Sequence, residues 1–354
     1  MKRCINNPLI TVKDVKPSRP DFRVEGVFNC GVCRYGDEIL LICRVSESAG
    51  CTDQDVKIPV MDTDGSHPTM KIIDVVKEEH PEWNFTDSRS VIRNTPFVRK
   101  VVYLTSFSHL RLAHSKDGIH FTVDDAPMIQ PMMQEESWGM EDPRVTQIGD
   151  TYYINYTAVS PQGPATALLS TKDFKEFQRL GVIFPPENKD VVIFPEKIGG
   201  KYYALNRPVS LEFGTPEIWI SESPDLIHWG NHRHFCKASE TGWENGRIGG
   251  GAVPFRTEKG WIELYHAADE ANRYCIGALL LDAEHPEKIL ARTENPILQP
   301  EADYETSGFF GNTVFTCGCY RDGNNVTLYY GAADDKICRA DITLDELYKA
   351  LKVS

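Results

Sequence analysis

Two carboxylates stand side by side at Glu141-Asp142, followed at once by Pro143 and Arg144. Proline fixes the backbone and an arginine can hold a neighbouring carboxylate, so one acid of the pair can be oriented while the other is left to protonate a leaving group. Four further residues, Lys189, Arg207, Arg247 and His266, are of the types that build a small anion site. Phosphate is the natural occupant because guanidinium forks match its oxygens. The Gly249-Gly250-Gly251 run suits close approach of backbone amides to a ligand. Asp334 and Asn29 suit a different need, hydrogen bonds to neutral hydroxyls. Taken singly, each of these residues reads as well as a salt-bridged turn, a solvated charge or a core histidine. Gathered in one place, they describe a site for a sugar and an oxyanion.

Gathering them requires a fold that brings distant loops together, and the chain repeats itself in a way that can do so. One pattern recurs five times: an alternating apolar run, a Gly/Asp/Lys turn, and a second β-rich run, with turns at Gly36-Asp37, Gly149-Asp150, Gly199-Gly200, Glu258-Lys259 and Gly323-Asn324. Each copy predicts a β-hairpin. A Ser, Asp, aromatic element follows three of them, at Ser115/Asp117/Phe121, Ser170/Asp173/Phe177 and Ser223/Asp225/Trp229. There the aspartate is expected to cap turn amides. The last four turns lie about 50 to 60 residues apart, which suits four-stranded propeller blades of about 40–50 residues plus loops. The expectation is an all-β, five-bladed β-propeller forming a single domain over residues 1–354, with an insertion at 53–87 in or after the first blade. That insertion can close over the channel mouth or contact a neighbouring subunit. Helix is confined to a short C-terminal segment, where Thr343 and Glu346 form a capping box ahead of Leu347 and Leu351.

Composition removes several function classes. With 38 basic against 51 acidic side chains and a net charge of -13, the chain lacks the basic face that nucleic-acid binding needs. No apolar stretch approaches the length of a membrane span, and the first residues lack a secretory pattern, so no membrane partner and a cytoplasmic location are expected. The ten cysteines then read as thiols packed in the core. Cys30, Cys33, Cys317 and Cys319 lack the usual zinc-knuckle spacing, so no metal is expected.

The stretches Phe28-Asn29-Cys30-Gly31, Leu41-Ile42-Cys43-Arg44, Glu141-Asp142-Pro143-Arg144, Phe194-Pro195-Glu196-Lys197, Asn206-Arg207-Pro208, Ser223-Pro224-Asp225-Leu226-Ile227-His228-Trp229, Tyr265-His266 and Tyr330-Gly331-Ala332-Ala333-Asp334 resemble glycoside hydrolase family 130, in the same order and over nearly the whole chain. The resemblance implies a five-bladed propeller acting on β-mannosides, as an inverting phosphorylase or an inverting β-1,2-mannosidase. It matches Asp142 to the general acid, which acts through the 3-hydroxyl of the mannosyl unit. Asn29, Arg44 and Asp334 match mannosyl-binding positions, with Glu141 and Arg144 beside them. Lys189, Arg207, Arg247 and His266 fall at or near the phosphate positions. It further implies no cofactor, with inorganic phosphate as co-substrate and a short β-mannoside, β-1,2-linked by overall similarity, as substrate. A homo-oligomer is compatible with all of this.

The alternative is an exo-β-1,2-mannosidase with Glu217 or Glu263 as the base that activates water. Such a base needs to lie about 6.5–9.5 Å from the acid. Strand alternation puts Glu263 on the face of Tyr265 and opposite His266. A third class is a sugar-binding propeller without turnover. Four candidate cations favour phosphorolysis, which needs one carboxylic acid and a bound phosphate.

Overall fold

The computed structural model describes residues 1–65, 67–95, 99–209 and 213–353. It is all-β apart from isolated helical turns and two short α-helices, Asp303–Thr306 and Leu344–Ala350. In the second, Thr343 Oγ1 accepts the Glu346 amide and the Glu346 carboxylate accepts the Thr343 amide, as the capping box predicts.

All five predicted hairpins are present, each closed by a two-residue loop. Tyr35 pairs with Glu38, Ile148 with Thr151, Ile198 with Lys201, Thr257 with Gly260 and Asp322 with Asn325. Gly36, Gly149, Gly199 and Gly323 take positive φ at these loops, the twist that two-residue hairpins demand. The predicted Asp turns also form: Asp117 accepts the amides of Ile119 and His120, Asp173 those of Lys175 and Glu176, and Asp225 those of Ile227 and His228. A fourth copy that the sequence pattern missed is centred on Asp282, which accepts the amides of Glu284 and His285.

The strands Arg23–Tyr35, Glu38–Ser48 and Phe107–Ser115 form a meander. Gly139–Ile148, Thr151–Ser160, Gly163–Thr171 and Gln178–Phe184 form a second, and a parallel bridge from Gly139 to Ser108 joins the two. Asn188–Ile193, Tyr202–Pro208, Ile218–Ser223 and Gly230–Cys236 form a third sheet. The next meander is split in two, because the run from Gly260 to Ala268 breaks at 264–265 and the run from Tyr274 to Leu281 breaks at 277–278. In the last sheet Val314–Asp322, Asn325–Ala332 and Lys336–Thr343 are completed by Lys2–Arg3 from the opposite end of the sequence.

Period-2 alternation explains how these sheets pack. Along Glu38–Ser48, Leu40 and Ile42 join a core with Leu110, Leu112 and Ile154, while Ile39, Leu41, Cys43 and Val45 face Tyr329 and Ile337 of the last sheet. Both faces of the strand are buried, which is why it reads as an unbroken apolar run. The insertion makes its own hairpin, Asp55–Asp62 with Thr69–Val76, around a small core of Val56, Ile58, Val75 and Val91. Among the described residues no helix is long and apolar enough to cross a membrane.

Candidate active site

The site is assembled by one backbone device used repeatedly. The first strand of each of three meanders loses register, between Phe28 and Gly31, between Glu141 and Arg144, and between Lys189 and Val192. The residues at these bulges, Asn29, Asp142 and Asp190, have φ of 48°, 48° and 56°. Asn and Asp tolerate this left-handed region better than other side chains, and a bulge re-aims the side chain out of the pleat. Asp334, with φ 53°, leaves the end of Asn325–Ala332 in the same conformation.

Asn29 Nδ2 donates to Asp142 Oδ1 at 2.9 Å, and Arg44 donates to the same oxygen at 3.1 Å. Arg44 also reaches Glu141 Oε1 at 2.7 Å and Ser108 Oγ at 3.0 Å, with its guanidinium 4.7 Å from the Phe28 ring centre. Gly331 makes room for Asn29, since a Cβ there would fall 2.2 Å from Asn29 Oδ1. That oxygen is buried without a hydrogen-bond partner. Burial alone raises the pKa of Asp142, but Arg44, Lys189 and Arg144, with the Asn29 hydrogen bond, outweigh it and hold the group below the usual range. Asp334 goes the other way: burial, then the charges of Asp142 and Glu141, push it up to about 7 against Arg44 and Arg89.

A second cluster surrounds Asp190, which is 2% exposed. Its Oδ2 lies 2.9 Å from Arg207 Nη1 and 3.2 Å from His266 Nε2, and its Oδ1 lies 3.4 Å from Arg144 Nη2. The approaches of Arg207 and His266 are off the ideal N–H line, and Arg207 Nε and His266 Nδ1 have no hydrogen-bond partner among the described residues. The His266 ring centre is 4.1 Å from that of Phe315. Lys189 pairs in register with Arg207 and is close enough to Asp142 to lower its pKa. Arg247 stands at the margin, donating to Tyr274 Oη and Asn272 Oδ1, with Tyr274 6.1 Å from the His266 ring.

Arg144 connects the two clusters, but not in the way its position beside Asp142 suggests. It was expected to steady a carboxylate of the Glu141-Asp142 pair and to contact substrate. It is instead 1% exposed and donates to the backbone carbonyls of Asp142, Gly250 and Gly251. The Asp142 side chain is steadied by Asn29 and Arg44. The bulge explains the difference, because the positive φ at Asp142 turns its carbonyl, not its carboxylate, toward Arg144.

The two candidate bases are both committed elsewhere. Glu217 lies one strand farther out than Arg207, with Oε2 2.6 Å from His234 Nε2 and Oε1 accepting the Ala238 amide. Glu263 is fully buried and accepts the Gly251 amide, and burial pushes its pKa up to about 8. The expected alternation along 263–266 also fails. Glu263 points toward Gly251 and Arg144, whereas Tyr265 Oη donates to Glu244, because the break at 264–265 resets which face each residue presents.

Two charged residues of the site, Asp190 and Arg89, are not assigned roles by the sequence analysis. Asp190 was legible in principle: it follows Lys189 at a strand entrance as Asp142 follows Glu141. Arg89 comes from just beyond the insertion, and its guanidinium lies 4.5 Å from the ring centre of Phe310, whose amide donates to Ala333 O. On the other side the Met61 amide donates to Ser137 O, and Tyr103 packs near Trp138. The insertion and the residues that follow it therefore touch both the segment leading into the strand that carries Asp142 and the loop around Phe310 that packs on Ala333, next to Asp334. A cavity of 460 Å³ opens beside Glu141 and Lys189, walled by Lys100, Leu104, Trp138 and Gln162. That volume falls in the range of about 300–1,000 Å³ usual for small-molecule sites.

A family model described as beta-1,4-mannooligosaccharide phosphorylase matches residues 97–353. The chain belongs to glycoside hydrolase family 130. It is 47% identical over 348 residues to the beta-1,2-mannobiose phosphorylase of Listeria innocua serovar 6a, covering 98% of this chain and 97% of that one. It is 38% identical over 260 residues to a 1,2-beta-oligomannan phosphorylase of Thermoanaerobacter sp., covering 73% of this chain and 86% of the relative. The solved structure of the Listeria innocua beta-1,2-mannobiose phosphorylase, in complex with beta-1,2-mannobiose, superposes with a TM-score of 0.95. The two are 45% identical over 100% of this chain and 99% of that one. Family 130 membership accounts for the order of the motifs from Asn29 to Asp334.

Proposed function

We infer that this chain is an inverting phosphorylase that transfers the terminal mannosyl unit of short β-1,2-mannosides to inorganic phosphate, releasing α-mannose 1-phosphate and a shortened sugar. The observation that carries this reading is the pairing of two clusters across Arg144. One holds a carboxylic acid among groups suited to hydroxyls, and the other presents Arg207 and His266 nitrogens with unused hydrogen-bonding capacity. The relatives named for β-1,2-linked substrates support the linkage.

In the proposed mechanism Asn29, Arg44 and Asp334 hold the mannosyl unit, with Glu141 oriented by Arg44 beside them. Phosphate, held by Lys189, Arg207, Arg247 and His266, attacks the anomeric carbon with one oxygen. The bond to the glycosidic oxygen breaks on the opposite face, its electron pair stays on the leaving oxygen, and the proton comes from Asp142 through the mannosyl 3-hydroxyl. Phosphate is itself the nucleophile, so no basic carboxylate is required. The engagement of Glu217 by His234 and the Ala238 amide, and of Glu263 by the Gly251 amide, supports phosphate rather than an activated water as the nucleophile. Of the cations that hold Asp142 below the usual range, Lys189 is also assigned to phosphate, and a dianion bound beside it favours the protonated acid.

The five hairpin sheets are read as five blades of a β-propeller, with the bulged strands innermost and the site at one mouth. The successive meanders and the burial of both faces of Glu38–Ser48 support this. The cytoplasm is the proposed compartment, and the proposed partners are the oligosaccharide and phosphate, with a homo-oligomer compatible with both.

The deciding experiment is incubation with β-1,2-mannobiose with and without phosphate, followed by NMR of the products. α-Mannose 1-phosphate and mannose in equal amounts, formed only with phosphate, is the expected result. Equal cleavage to free mannose without phosphate overturns it.

A further inference from the structure

Arg207 and His266 converge on a group that is itself negative, which is unexpected in a place built for phosphate. Asp190 is buried, and three cationic or ionisable side chains from three strands meet its two oxygens. Its surroundings are cut to fit. A Cβ at Gly249 would lie 2.6 Å from His266 Nε2 and 2.8 Å from Asp190 Oδ2, so only glycine leaves space for the carboxylate and the imidazole to meet. With Nε2 turned to Asp190, His266 keeps Nδ1 free, and Arg207 keeps Nε free.

We propose that Asp190 is a positioning residue for phosphate, fixing the guanidinium of Arg207 and the ring and tautomer of His266 in the orientation that receives the anion. This rests on the phosphorylase reading. Two effects oppose each other here. A carboxylate repels a phosphate dianion, so simple electrostatics has Asp190 weaken phosphate binding. Against that, the charge is already matched by Arg144 and Arg207. Removing it leaves two buried guanidiniums without the counter-charge they share and a histidine without its orienting partner. Loss of the orienting partner behind a metal-ligating histidine typically costs about 10–100-fold in affinity, and carried over to phosphate that scale has pre-organisation outweigh the repulsion.

The sign of one measurement separates the two. Asp190→Asn keeps the shape and suits the positive φ, since asparagine accepts that conformation as readily as aspartate. Initial rates are measured against phosphate and against β-1,2-mannobiose separately. The expected outcome is a rise of about 10–100-fold in the KM for phosphate, with the KM for mannobiose nearly unchanged and kcat at saturating phosphate largely kept. Gly249→Ala, which drives a methyl group between Asp190 and His266, should raise the same constant selectively. A phosphate KM that is unchanged or lowered in both variants, while the wild type stays phosphate-dependent, overturns the proposal. So does a uniform loss in both KM values and kcat, which is the mark of general damage. Phosphate-independent cleavage by the wild type sinks the phosphorylase reading itself, and this proposal with it.

Discussion

Asp142 and Asp334 show how position sets the chemistry of like groups. Both are carboxylates on left-handed residues near Arg44, yet one is held ionised and the other is pushed up to about 7. The difference lies in their partners: Asp142 has Asn29, Arg44 and Lys189, whereas Asp334 is desolvated with Asp142 and Glu141 in view. Carboxylates separated in this way are suited to distinct roles in one reaction. Asp142→Asn keeps the hydrogen-bonding shape and the backbone conformation but removes the transferable proton. Its phosphorolysis rate is expected to fall by about 10²–10⁴-fold, while mannobiose binding measured by calorimetry persists. Turnover at the wild-type rate rules out the acid assignment.

At the scale of elements, the hairpins were legible because their turns carry their own chemistry, glycine at positive φ closing a two-residue loop. The Asp turns were legible for the same reason, except at Asp282, where no serine or aromatic marks the motif. Breaks inside strands were not legible. The run Trp261-Ile262-Glu263-Leu264-Tyr265-His266 reads as one alternating strand, and only packing against the glycine run divides it at 264–265. That break leaves Glu263 buried with one oxygen on the Gly251 amide and the other without a partner. Its folded-state pKa of about 8 stands above the ordinary 4.5, so its stabilising contribution is complete below about pH 4.5 and is lost as pH rises through 8. Glu263→Gln removes that titration. Its Tm should decline less steeply than that of the wild type between pH 5 and pH 9, by an amount corresponding to a few kcal/mol at most. Parallel Tm curves for the two proteins overturn the assignment.

For the molecule as a whole, the contacts that matter most are those that sequence proximity cannot suggest. Asn29 and Asp142 are 113 positions apart, Arg144 and Gly251 are 107 apart, and the Gly250 and Gly251 carbonyls that Arg144 holds were invisible without the packed sheets. Longer-range contacts join the beginning of the chain to the last sheet, where Lys2 pairs with Asp341, and to the short helix Asp303–Thr306. Arg3 forms two hydrogen bonds to Glu305, at 2.8 and 2.9 Å, and Tyr330 Oη donates to the same fully buried carboxylate. Arg3→Ala leaves Glu305 in place without its counter-charge. Because Arg3 keeps 22% exposure, the cost should be about 2–3 kcal/mol, below the about 3–5 of a fully buried pair. A fall in Tm of roughly 3–6 °C is expected, and no change would assign the closure to the backbone pairing of Lys2–Arg3 alone. This stitch also sets the timetable of synthesis. Arg3 leaves the ribosome 302 residues ahead of Glu305, and Lys336–Thr343 emerges later still. Earlier sheets can form as they are translated, but the seam waits for Lys336–Thr343, and until then Lys2–Arg3 lacks the strand it pairs with and is left to meet an exposed edge of another nascent copy.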